Sequence, residues 1–141
     1  MRKRIFQHYE GEIAALSECH FSTVRAFVDS FDNSVVVLWV HDKHKRFWYR
    51  LFIDGVYCGI DQFSDDKSFE DIDDDIIIID HSAWFRDKKL LEAKVYSGSE
   101  VLHDMVVTFK FVRSECQLIY QSQCNKCQLK FIELMQGLEL P

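Results

Sequence analysis

Asp80 closes a run of four isoleucines, and Glu92-Ala93-Lys94 falls on the next stretch with strand character. Two carboxylates and a lysine on neighbouring strands are the parts of a metal-dependent phosphodiester hydrolysis. The carboxylates hold a divalent cation and the lysine positions or activates water. Strand alternation puts Glu92 and Lys94 on one face, as that chemistry requires. The competing reading makes Glu92 and Lys94 the solvent side of a half-buried strand.

Other reactive residue types are grouped less completely. Cys124-Asn125-Lys126-Cys127 has the two-residue spacing of a zinc knuckle, but a four-ligand site needs a second pair, and only Cys116 and His103 are at hand. Asp71-x-Asp73-x-Asp75 copies the first three ligands of a calcium loop. Ile76 stands where that loop needs glycine, and Ser82 where it needs a bidentate carboxylate. Asp80-His81-Ser82 has the residue types of a hydrolytic triad, yet three consecutive residues cannot converge in the required geometry. A glycine-rich phosphate loop is absent. The turn His41-Asp42-Lys43-His44-Lys45-Arg46, followed by Trp48, Tyr49 and Arg50, offers the basic and aromatic groups that grip single-stranded nucleic acid. A net charge of −6 opposes that at long range, so direct nucleic-acid binding is not expected. Neither is a cofactor.

Charge distribution is more informative. Nine acids lie between Asp61 and Asp80: Asp61, Asp65, Asp66, Glu70, Asp71, Asp73, Asp74, Asp75 and Asp80. Lys67 is the single base among them, and outside the window bases slightly outnumber acids. Carboxylates at this density repel one another unless the segment stays solvated or meets a cationic partner. One reading is a solvated loop that keeps the chain soluble. The other is a surface that steers and docks a basic protein, with Phe63, Phe69 and Trp84 as apolar anchors or as core pins of the loop.

Strands must position these groups. Phe47–Ile53 and Val56–Ile60 flank Asp54-Gly55, a pair suited to a two-residue hairpin turn with positive φ at both positions. The β-branched run Ile76–Ile79 has the length of a buried strand. Val101, His103, Met105, Val107, Phe109 and Phe111 hold one phase, and Cys116, Leu118 and Tyr120 continue it on the next strand of a meander. The stretch 128–135 suits a last strand or a short helix. Ile13, Leu16, His20, Val24, Phe27 and Phe31 recur at helical steps, while Val24, Ala26 and Val28 alternate. The first half of this stretch leans to helix and the second half is open. The expected fold is α+β, mainly antiparallel sheet with an N-terminal helix.

At 141 residues, 48% hydrophobic and 14% aromatic, the chain has enough apolar material for a core and is excluded from the disordered class. One domain, 1–141, is expected, since no proline- or glycine-rich linker divides it. The longest apolar runs fall well short of the roughly 20 residues a membrane helix needs. Arg2-Lys3-Arg4 is followed by polar residues rather than the apolar stretch of a signal peptide. A cytoplasmic protein with five free thiols and no membrane partner is therefore expected.

Two resemblances give these features meaning. Asp80 with Glu92-x-Lys94 resembles the PD-(D/E)xK nuclease motif over about fifteen residues, and the resemblance implies that a glutamate on an N-terminal helix, Glu12 or Glu18, would join them. This chain departs from that pattern by running into another strand after Lys94, and by the charge of −8 in the window ending at Asp80. In size, acidity, free cysteines and aromatic-rich β core, the chain resembles the bacterial immunity proteins of contact-dependent growth inhibition and related polymorphic toxin systems. That resemblance is one of type. It implies no enzymatic activity and a cognate toxin domain, often a nuclease, as the partner. The acidic window would then stand in for nucleic-acid phosphates in the toxin's basic cleft. A protein that mimics DNA to displace it from a host target would carry the same surface.

Overall fold

Alternating apolar and polar side chains build two antiparallel sheets, in the computed structural model that describes residues 2–69, 72–97 and 104–133. The first sheet has six strands in the order β1 (Arg2–His8), β6 (Cys58–Ser64), β5 (Phe47–Ile53), β4 (Val35–Asp42), β3 (Phe21–Asp29), β7 (Ile76–Asp80). The second has five, in the order β11 (Lys126–Glu133), β10 (Ser114–Gln121), β9 (Met105–Phe111), β8 (Glu92–Ser97), β2 (Gly11–Glu12). Within each sheet the long strands follow one another as a meander, so most pairing is between chain neighbours.

One face of each sheet turns inward to a shared core. Val24, Leu38, Tyr49, Leu51 and Ile60 come from the first sheet, and Val95, Val107, Phe109, Cys116 and Leu118 from the second. Burying each large side chain contributes about 1.5–3 kcal/mol. The short helix α1 (Ser82–Phe85) closes one end: Phe85 is buried, and Trp84 packs on Phe85, Phe111 and Phe131 at 4.8–5.7 Å. Among the described residues, no helix is long and apolar enough to cross a membrane.

The expected N-terminal helix is corrected. Among the described residues strand makes up 61% and helix 6%, and the region from Gly11 to Phe31 holds β2, a three-residue 3-10 turn at Ala14–Leu16, and β3. The helical spacing arises from parts that do different things. Ile13 and Leu16 are buried across the 3-10 turn, and Val24, Ala26 and Val28 are the inward row of β3. Phe27 points to the opposite face, and Phe31 is 82% exposed in the following turn. Strand alternation with β-branched residues decides the conformation.

Three smaller expectations also shift. The hairpin between β5 and β6 forms, but its loop is four residues long. The Asp54 N–H donates to Tyr57 O, and only Gly55 takes a positive φ, +74°. The isoleucine run is an edge strand: β7 pairs with β3 on one side, and Ile77, Ile78 and Ile79 are 42–48% exposed. Stretch 128–133 belongs to strand β11, while Leu134 and Met135 lie outside the described residues. Met105, Val107, Phe109 and Phe111 are buried on β9 as expected, but Val106 and Thr108 are buried as well, so the strand is covered on both faces over 105–109; Val101 and His103 also lie outside the described residues.

Candidate functional site

The outer face of the six-stranded sheet carries a row of side chains set by strand register. Asp61 on β6 stands opposite Arg4 on β1 and Arg50 on β5. Arg50 faces Trp39, Trp39 faces Arg25, and Arg25 faces Asp80 at the β7 edge. The row thus alternates cation, anion, cation, aromatic, cation, anion. Phe63 and Trp48 lie beside it as a directly opposed pair. Trp39, Trp48 and Phe63 form a second apolar cluster, separate from the core between the sheets, with Phe27, Val37 and Phe69 packed on it.

Asp61 is fully buried at the centre of this face. Arg4 Nε donates to Oδ1 at 2.5 Å and Arg50 to Oδ2 at 2.6 Å, with Arg2 3.8 Å away. Burial opposes ionisation of this carboxyl. The two hydrogen bonds and charges of Arg4 and Arg50 outweigh it and hold the pKa below the usual carboxylate range. Asp61 is therefore removed from the expected docking surface: it is a structural anion with its own counter-ions.

The segment from Asp65 to Asp75 connects β6, second in the sheet, to β7, sixth. Its described residues, 65–69 and 72–75, form a strap, with Phe69 and Ile72 lying beside Phe27 and Trp39 of the outer face. Phe69 pins it, with its ring centroid 4.7 Å from Trp39, 4.9 Å from Trp48 and 6.2 Å from Phe27. Lys67 lies over the rings of Trp39, Phe63 and Phe69 at 5.2–5.6 Å. At the far end the Ser30 N–H donates to Asp75 O. The Phe69 ring contacts and the Lys67 ammonium over the rings seat the middle of this acidic segment, and the ion pairs of Asp65 hold its start.

The expected docking residues separate into groups. Phe63 is buried in the outer cluster and Phe69 is the strap's pin, whereas Trp84 belongs to the core plug, its ring covered by the Lys88 ammonium at 4.4 Å. Asp65 is taken up by the basic turn: His41 Nε2 lies 2.5 Å from Oδ1, and Arg46 donates to Oδ2 at 2.9 Å. These hydrogen bonds hold its carboxyl below the usual range. Asp66 accepts from the Ser64 hydroxyl. Asp80 accepts from the Ser82 backbone N–H and lies 3.8 Å from Arg25. Asp73, Asp74 and Asp75 are exposed, and among the described residues no cation lies within 4 Å of them. Glu70 and Asp71 fall outside the described residues.

The catalytic pattern is not assembled. Asp80 points outward from the six-stranded sheet beside Arg25. Glu92 and Lys94 flank the buried Ala93 and therefore point outward from the other sheet, on the opposite side of the core. There Glu92 pairs with Lys110 at 3.9 Å, and the Lys94 ammonium lies over the Tyr96 ring at 5.0 Å. Glu18 is occupied by Lys89 at 3.2 Å.

Zinc coordination by the cysteines is equally unassembled. Cys116 and Cys127 are buried in the core, and Cys124 is exposed in the turn between β10 and β11. Burial pushes the Cys127 thiol up to about 12 and raises that of Cys116 as well. Protonated thiols of this kind are poor ligands and poor nucleophiles. No group of three or more His, Cys, Asp or Glu able to hold a metal occurs among the described residues.

Sequence reasoning missed Arg4 and Arg50, the counter-ions of Asp61, and the use of Trp39 and Trp48 as a seat for the strap. Their signal lay in cross-strand register, which a sequence displays only once the hairpin loop is counted correctly. No protein-family model, curated protein or solved structure matches this chain.

Proposed function

We propose that the chain is a binding protein, not an enzyme, and that it takes a basic protein partner on the strap and the β7 edge beside it. One observation carries this reading. Asp61 and Asp80 on the sheet and Asp65 at the start of the strap have counter-ions, whereas Asp73, Asp74 and Asp75 are exposed and have no cation within 4 Å among the described residues. A cluster of unmatched like charge raises the energy of the free protein and favours association with a cationic surface. Next to it, Ile77, Ile78 and Ile79 expose apolar surface on a strand whose outer edge is unpaired among the described residues. An apolar patch rimmed by charge is the anatomy of a protein interface. In its specific form the partner is a cognate toxin nuclease domain, whose phosphate-binding cleft the strap would fill, and the chain is its cytoplasmic immunity protein.

The test compares wild type with a variant carrying Asp73→Lys, Asp74→Lys and Asp75→Lys as baits in extracts of the cell of origin. Wild type is expected to retain a basic protein, with affinity for the triple variant weaker by roughly tenfold or more. Producing that protein alone should arrest growth, and adding this chain should restore it. Equal retention by both baits would remove the strap from the mechanism. A harmless partner would replace immunity with a regulatory role.

A further inference from the structure

The strap raises a question that its acidity does not answer: why does its only base, Lys67, avoid the carboxylates around it? Among the described residues, no carboxylate lies within 4 Å of the ammonium, which donates instead to the Ser68 carbonyl oxygen. Its other neighbours are rings: Nζ is 5.6 Å from the Trp39 centroid, 5.5 Å from Phe63 and 5.2 Å from Phe69. Trp39 and Phe69 stand at 90° to each other, 4.7 Å apart. Three aromatic rings disposed around one cation form a cage, the arrangement that recognises an ammonium through ring quadrupoles.

We propose that this cage is a binding site for a lysine or arginine side chain of the partner, and that Lys67 fills it in cis while the partner is absent. The inference rests on the strap being the docking surface, and it names the pocket into which an anchoring side chain would go. Several features fit an exchangeable occupant. Lys67 and Phe69 are only partly buried. The cage borders a cavity of about 470 Å³, lined by Phe27, Trp39, Arg50, Lys67, Phe69 and Ile72, which gives an incoming side chain a way in. Arg50 also lies over Trp39 and Phe63, at 5.7 and 5.2 Å, but its charge is matched by Asp61 at 2.6 Å. The unmatched carboxylates of the same strap would draw a cation toward the opening before the rings hold it. Lys67, displaced, would become free to meet those carboxylates, so the exchange recovers part of what it costs.

A small probe isolates the cage from the rest of the interface. Tetramethylammonium would be titrated into wild type, Lys67→Gln, and Lys67→Gln with Phe69→Leu, following the Trp39 indole signal by NMR. Emptying the cage should tighten probe binding by about tenfold, a change within the range of a cation–π contact. The double variant, which keeps an apolar pin for the strap but loses the aromatic ring, should lose that gain. Retained indole dispersion would establish that each variant is folded. If Lys67→Gln binds the probe no better than wild type, or the double variant binds as well as Lys67→Gln, the proposal falls. That failure is separable from failure of the docking reading, since the strap variant at 73–75 judges partner binding without touching the cage.

Discussion

Replacing Asp61 by alanine should destabilise the protein by about 3 kcal/mol, the larger part arising from what is left behind. The carboxylate is fully buried and takes hydrogen bonds from Arg4 and Arg50, each 29% exposed. Removing it leaves two guanidiniums facing each other across the vacated strand position, with Arg2 close by. Their partial exposure lets water screen some of the repulsion, which places the effect at the low end for a broken buried pair. Denaturant unfolding would measure it, and a change within about 0.5 kcal/mol, the range of an ordinary surface substitution, would contradict the account.

The same group gives a pH dependence of known sign. Its folded pKa lies below the unfolded one, so its stabilisation is complete above the ordinary carboxylate range and is lost as pH falls through the folded value. Asp61→Asn should therefore flatten the acid limb of the stability profile. An unchanged acid limb would mean that the arginine pairs contribute nothing to it.

Trp39→Ala should cost about 3–5 kcal/mol, the usual range for deleting a large buried aromatic side chain. Trp39 touches Phe27, Trp48, Phe63 and Phe69, and both Arg50 and Lys67 lie over its ring. The cost is that of the lost ring contacts and of the cavity left between the sheet and the strap. The loss should also show locally: the segment around Phe69 should become a site of early proteolysis in the variant, while the five-stranded sheet stays protected. A cost under about 1 kcal/mol, or a strap as resistant as in wild type, would show that Trp39 does not seat it.

How much of this could be read from residues alone depends on range. Local alternation revealed β10 and the inward face of β3, because burial of one sheet face imposes a period of two whatever the topology, and it marked the inward row of β9 without showing that Val106 and Thr108 are buried too. The N-terminal helix failed because residues serving the core, the outer face and an exposed turn coincided at helical steps. The acidic window was plain in composition, but its division was not. A two-residue turn at Asp54-Gly55 would pair Ile53 with Val56, whereas the four-residue loop pairs Ile53 with Cys58. That shift of two residues sets Asp61 opposite Arg50, and it turns a presumed docking residue into a buried one. The Asp80, Glu92 and Lys94 pattern failed for a longer-range reason: two of its members lie on a different sheet from the third, and spacing along the chain does not encode the assignment of strands to sheets.

Hydrogen exchange on the complex with the captured partner tests the central claim most directly. Backbone amides of the strap and of β7 should gain protection on binding, and the gain should vanish when Asp73, Asp74 and Asp75 are replaced by lysine. Protection confined to the outer face of the five-stranded sheet, with the strap exchanging as fast as in the free protein, would place the interface elsewhere and overturn the account.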